Sequence, residues 1–243
     1  MSRRFVKCNL LAAIAVLIVV AACTSHEPKA PTTARTAAPI TIPPGRYSIV
    51  PEQSVIVIRV YRAGALSALG HNHVLTSGAL SGTLEVARRI GESHAHVAFD
   101  VASLAVDTSE SRAAAGPDFS SVPTKDDIAG TQRNLMGPKV LDADAHPQIA
   151  AEAQLKSLEG DYATLDLTVH VAGHDATIPV QAVLRLEDGA LRVESQFEIT
   201  HTALGMTPFT ALGGALKVAD AIKVAVVLEA RIGTPTQAPR PIF

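Results

Sequence analysis

Six stretches of this chain alternate apolar and polar residues with a period of two, and no other feature limits its fold as much. In SVIVIRVYR (54–62), Ile56, Ile58 and Val60 share one parity and Arg59 takes the other. GTLEVAR (82–88) sets Leu84 and Val86 against Glu85. HAHVAFDVASLAVD (94–107) sets Val97, Phe99 and Val101 against Ala98 and Asp100. ATLDLTVHVAG (163–173) sets Leu165, Leu167 and Val169 against Asp166, Thr168 and His170. GALRVESQFEIT (189–200) sets Phe197 and Ile199 against Glu198, and DAIKVAVVLEARI (220–232) continues the habit. Successive side chains of a strand point to opposite faces, so each stretch is a strand with one dry and one wet side. Many such strands at short spacing predict a sandwich or a closed barrel. The apolar parity is expected to face inward, because burying Arg59, Glu85, Asp100, Asp166 or Glu198 unpaired is costly.

One segment reads differently. In PTKDDIAGTQRNLMG (123–137), Thr124 is a helix N-cap, Asp126 and Asp127 fall in the first turn and Gly137 is a stop. Ile128, Leu135 and Met136 fall at helical spacing, which predicts a short helix over 125–136, on the barrel or across one mouth. The preceding 108–122 reads as a long surface loop.

The ends have their own grammar. Arg3, Arg4 and Lys7 precede an apolar run, Leu10 to Val20, too short to span a bilayer with ease and sized for a signal-peptide core. The run ends in Val20-Ala21-Ala22-Cys23, which resembles the bacterial lipobox. Residues 1–22 are therefore expected to be removed and Cys23 to carry lipid. Residues 23–44, rich in Pro, Thr and Ala, read as a tether, 45–232 as the barrel domain and 233–243 as a flexible tail. The expected place is the bacterial cell envelope, as a membrane-anchored lipoprotein, on the periplasmic face of the outer membrane where the cell has two membranes. The other cysteine, Cys8, lies in the leader, so the domain holds no disulfide and no thiolate site.

Charge and motifs exclude other classes. The chain has 21 basic and 23 acidic residues, and the leader holds three basic and no acidic ones, so the remainder carries a net charge of −5. Nucleic-acid binders present positive surfaces to phosphates, so no nucleic-acid partner is expected and HNH at 71–73 is not a nuclease motif. There is no Gly-x-Ser-x-Gly elbow, no phosphate-cradling glycine loop and no cysteine nucleophile, so a binding protein without a cofactor is expected rather than an enzyme. His71 and His73, in LGHNHVL, share a face if the chain is extended there. Two such ligands suit part of a metal site, but a complete site needs more, and the placement suits the polar rim of a barrel mouth, bonded to loop backbone or to a ligand headgroup.

These pieces, in this order, resemble the YceI-like family. YSIVPEQSVIVIRV is similar to its opening strand, SGTLEVA to its Gly-Thr-Leu hairpin strand and HVAFDVASLAVDT to a strand ending in Asp-Thr. RNLMGPKVLDADAHPQIAAEA resembles its helix and Pro-led strand, HVAGHDATIPV its strand turning at Gly, and HTALGMTPF its late Gly-aliphatic-x-Pro segment. The resemblance implies a mainly β fold, an eight-stranded antiparallel lipocalin-like barrel with one or two short helices. It also implies an isoprenoid-like or other long-chain lipid held inside, touching Ile56, Ile58, Val60, Leu84, Val86, Val97, Phe99, Val101, Leu165, Leu167, Val169, Phe197 and Ile199. Alternation alone leaves two interiors open, an empty tunnel or a core packed by the same aliphatics. With a filled barrel, a metal-binding or stress-related envelope role for the His71/His73 region remains the alternative. A homodimer is compatible with either. The family's Pro-led strand is usually rich in aromatic residues, whereas PQIAAEA offers Ile149, Ala151 and Ala153, and the chain has no Trp.

Overall fold

The computed structural model describes residues 40–233. The leader, Cys23, most of the tether and the tail from 234 lie outside the described residues.

Twelve strand segments form one closed antiparallel barrel of eight strands. The first barrel strand is β1 (Gly45–Ile49) continued by β2 (Val55–Ala63), the second β3 (His73–Ser77) continued by β4 (Ser81–Val86), and the third β5 (His94–Asp100) continued by β6 (Ala105–Val106). Then come β7 (Gln148–Glu159), β8 (Tyr162–Val171), β9 (His174–Glu187), β10 (Ala190–Thr200) and, after the short β11 (Thr210–Ala211), β12 (Leu216–Ile232). One edge of β12 pairs with β10 and the other with β1 and β2, which closes the ring. The register sets the inward rows against each other: Val60 is opposite His73, Val97 opposite Ala151, Phe99 opposite Ile149 and Phe197 opposite Val224.

The first three barrel strands break at the same height, and the sequence supplies the cause. Pro51 opens a 3-10 turn, Pro51–Gln53, where its missing N–H costs no ladder bond. Buried Ser54 repairs the ladder, its hydroxyl donating to Val50 O at 2.8 Å and accepting from Glu229 N at 3.0 Å. In the third strand a 3-10 turn at Val101–Ser103 ends the alternation, and Ser103 Oγ sits 2.7 Å from Ser77 Oγ of its neighbour. Val101 is therefore buried but absent from the cavity wall. Its expected place in the lining is corrected, because period two holds only while the chain stays extended. Gly82, at φ +138°, lets β4 approach the carbonyl of His96 more closely than a Cβ would allow.

Helix α2 runs over Lys125–Met136 and begins with a reciprocal capping box. Asp127 N donates to Thr124 Oγ1 at 3.2 Å, while Thr124 N donates to Asp127 Oδ2 at 2.9 Å. The helix lies across one mouth, where Leu135 reaches the cavity. The segment 108–122, expected as a loop, instead holds α1 (Ser109–Ala115), capped by Thr108, and a 3-10 turn at Pro117–Phe119. It covers the outer face of β2 and β3, with Phe119 edge-on to Tyr61 at 5.5 Å between ring centroids and Val74 fully buried. SESRAAA shows no amphipathic repeat, so tertiary contact holds this helix, and its segment keeps the outer face of β3 dry at Val74. At the opposite end, Ile40 and Ile42 pack on the core and Ile40 N donates to Gly160 O. The last residues of the expected tether thus belong to the barrel.

Candidate functional site

The barrel is open. It encloses a cavity of about 300 Å³, within the range of small-molecule sites. Its wall takes Ile56, Ile58 and Val60 from β2, Leu84 and Val86 from β4, Val97 and Phe99 from β5, Leu165, Leu167 and Val169 from β8, and Phe197 and Ile199 from β10. The volume has a cause in the sequence. Ala95, Ala151 and Ala153 are wall residues, and Phe99 and Phe197 are the aromatic side chains that reach in. Small side chains on adjoining strands leave space that the opposite aliphatics do not fill. Leu75, Leu80, Leu135, Val193, Val224 and Val226 also line the space and were missed. For Val224 and Val226 the signal was present, in the parity of 220–232. Leu75 lies in a strand too short to show alternation.

A second space of about 300 Å³ lies beneath α2 and shares Val60, Leu75, Leu135, Val140 and His201 as walls with the first. It is the mouth of the cavity. Here the inward rows change character. The row Ile56, Ile58, Val60 continues to Arg62, the row of Leu75 continues to His73, and the row Phe197, Ile199 continues to His201. Aliphatic walls therefore end in a guanidinium and two imidazoles. His71 also lines this mouth, with its ring centroid 6.4 Å from that of His73. Asn72 between them is structural: its Oδ1 accepts from Arg62 N at 3.0 Å and its Nδ2 donates to Asp118 O at 2.9 Å.

His73 is held by a buried ionic network. Its Nδ1 lies 2.6 Å from Oδ2 of Asp107, whose side chain is wholly buried. The other carboxylate oxygen, Oδ1, accepts from Val74 N at 3.0 Å and from Arg112 Nη1 at 2.6 Å. Arg112, itself buried, donates further to Asn72 O, Phe119 O and Ser121 O. Burial opposes the charge on Asp107, yet the hydrogen bonds from His73, Val74 and Arg112 together hold its carboxyl below the ordinary value. Asp107 also sits at φ +52°, a left-handed conformation that Asp tolerates better than most residues. His201 is fixed separately, its Nδ1 donating to Asp220 O at 3.0 Å. Asp107, Arg112 and His201 were not singled out from the sequence.

Among the described residues, no group of three or more His, Cys, Asp or Glu is placed to hold a metal ion, and the His71/His73 pair gains no third ligand. Two other histidines pair with carboxylates away from this mouth. His94 Nε2 lies 3.4 Å from Glu85 and His170 Nδ1 lies 2.7 Å from Asp175.

Comparison with known proteins agrees with this architecture. The YceI-like domain matches residues 47–230. Among solved structures, BcnA of Burkholderia cenocepacia aligns with a TM-score of 0.53 at 12% identity, over 74% of this chain and 98% of that one. The Campylobacter jejuni YceI protein aligns with a TM-score of 0.43 at 11% identity, over 62% of this chain and 79% of that one. A mutant of the Campylobacter protein carrying a monobromobimane guest gives the same values. No curated protein matches the chain. At 12% identity the likeness to BcnA speaks for the fold, and the family match over most of the chain speaks for the family: this protein belongs to the YceI-like family of β-barrels, which bind hydrophobic ligands.

Proposed function

We propose that this protein is an exported envelope lipoprotein that holds one long-chain amphiphile, of isoprenoid type, inside its barrel. The observation that carries the reading is the axial gradient of the cavity. Aliphatic walls run from Val86 and Ile42 at one end to Val60 and Leu75, and then give way to Arg62, His73 and His201. A slender hydrocarbon buried there gains about 25 cal/mol per Å² of apolar surface, with no need for polar contacts along its length. At the Val86 end the polar lining residues are satisfied by protein, Glu85 and His94 by each other at 3.4 Å and Ser93 Oγ by Ala87 N, so the head is taken to lie at the mouth under α2 and the tail toward Ile42. Binding rather than catalysis is the reading taken because the wall is overwhelmingly aliphatic, with Glu85, Ser93, His94, Ser195 and His201 as its polar members. Lipid attachment at Cys23 would keep the barrel beside the membrane that supplies such ligands.

Native mass spectrometry of the protein tests this reading, and a co-purified long-chain lipid is the expected result. Val97→Trp, opposite Ala151, projects into the empty volume. It should abolish lipid retention while the melting temperature stays near that of the parent, because free space absorbs the indole. A melting temperature lowered by the equivalent of about 1–3 kcal/mol, with no lipid in the parent, is what overpacking a filled core produces. That result, or stoichiometric zinc or copper lost on His71→Ala/His73→Ala, would overturn the proposal.

A further inference from the structure

We propose that the polar end of the ligand is a hydroxyl, and that its O–H donates to Nε2 of His73. The inference rests on the cavity reading above and adds the chemistry of the head.

The fixed partners of two imidazoles carry the argument. A carboxylate and a carbonyl can only accept hydrogen bonds. Nδ1 of His73 faces Asp107 Oδ2 at 2.6 Å, and Nδ1 of His201 faces Asp220 O at 3.0 Å. Both Nδ1 atoms therefore carry a proton. A neutral imidazole has one proton, so in that form both rings keep Nε2 as a bare acceptor. Both rings line the same mouth. The His73 tautomer is held firmly, since Asp107 takes no other role than to bind His73, Val74 N and Arg112. Arg112 in turn is buried among carbonyl oxygens and has no route to the ligand. A wholly buried ion pair thus serves to hold one ring with an acceptor left for the cavity mouth.

The head that matches is a donor and acceptor in one atom. A hydroxyl gives its proton to Nε2 of His73 and keeps lone pairs for Arg62, which also lines the mouth and spends only one side-chain hydrogen bond, on Gly70 O. An ether has no proton to give. A diphosphate would place oxygen lone pairs against two bare nitrogens, with Arg62 and Lys217 the permanent positive charges among the described mouth residues.

The network also predicts how to abolish the preference. In Asp107→Asn, the amide oxygen must occupy the Oδ1 position, where Val74 N and Arg112 Nη1 both donate. The amide NH2 then faces His73 Nδ1, the ring proton moves to Nε2 and the mouth presents a donor.

The test uses the full chain with Cys23→Ser, at about pH 8.5, well above the ordinary imidazole value. Farnesol, farnesyl methyl ether and farnesyl diphosphate are titrated by calorimetry. Farnesol should bind about threefold to tenfold more tightly than the ether, the contribution of one hydrogen bond. His73→Phe should erase that difference by weakening farnesol alone, and Asp107→Asn should erase it too, since alcohol and ether both accept from an Nε2–H. If the Asn variant fails to fold, His73→Phe decides by itself. Equal binding of alcohol and ether by the parent overturns the inference and leaves the cavity reading standing. Tighter binding of the diphosphate overturns it in favour of an anion site. Failure of all three probes to bind overturns both readings.

Discussion

Of the acid–histidine pairs on this barrel, His94–Glu85 and His73–Asp107 are the least alike. Near the end where the chain enters, His94 Nε2 lies 3.4 Å from Glu85, with both side chains about half exposed at 54% and 42%. At the mouth, His73 Nδ1 lies 2.6 Å from Asp107, whose side chain is 0% exposed. Water screens the first pair and competes for each partner, so its geometry is one of many that the side chains sample. The second pair has lost its water, and every lone pair of the carboxylate must be satisfied by protein. Residue types that match in sequence thus do different work, and burial decides which of them can hold a ring in one orientation.

This comparison can be broken in four ways. The largest effect is expected for Arg112→Met. It removes the counter-ion of Asp107 and strands a buried charge, which should cost about 3–5 kcal/mol in urea denaturation. A loss under about 1 kcal/mol would place the network in water and equate it with the exposed pair. Acid is the next probe. Folded Asp107 binds its proton more weakly than the unfolded chain does, so its contribution is complete above the ordinary carboxylate value and is lost as pH falls through the lower folded one. Thermal unfolding should therefore steepen its decline below about pH 4, and Asp107→Asn should flatten that limb. Thr124→Ala removes the capping box of α2 over the mouth and should cost about 1 kcal/mol, with faster amide exchange confined to the first turn. Smallest of all is His94→Ala, expected to change stability by less than about 0.5 kcal/mol. A larger change there would show that the exposed pair is structural after all.

Much of the cavity was legible because alternation is a local property. Leu165, Leu167 and Val169 face inward for the same reason that Asp166 faces out, and a one-residue slip would have reversed all of them together. The capping box of α2 was legible too, since Thr124 and Asp127 satisfy each other within one turn. Val101 shows the limit, as its parity was right and its backbone was not. The segment 108–122 shows another, because α1 exists through Arg112 and Phe119, whose partners include Asn72, just before β3, and Tyr61 on β2.

By itself, the sequence determined the strand faces, the existence of a helix over 125–136 and the presence of His73 near a strand end. It also determined that the wall would be made of aliphatic and small side chains, because PQIAAEA brings two inward alanines and the chain has no Trp. Tertiary structure alone decided that the barrel stays open and that Asp107, 34 residues from His73, meets it. The volume depends on how eight strands close around rows that the chain specifies one at a time. The network depends on the pairing of β3 with β6, which delivers Asp107 beside Val74, and on a left-handed turn that aims its carboxylate at the ring. Neither has a period for a sequence to display. Each arises where segments far apart in the chain are brought into register, and the free energy of burial then selects the partners.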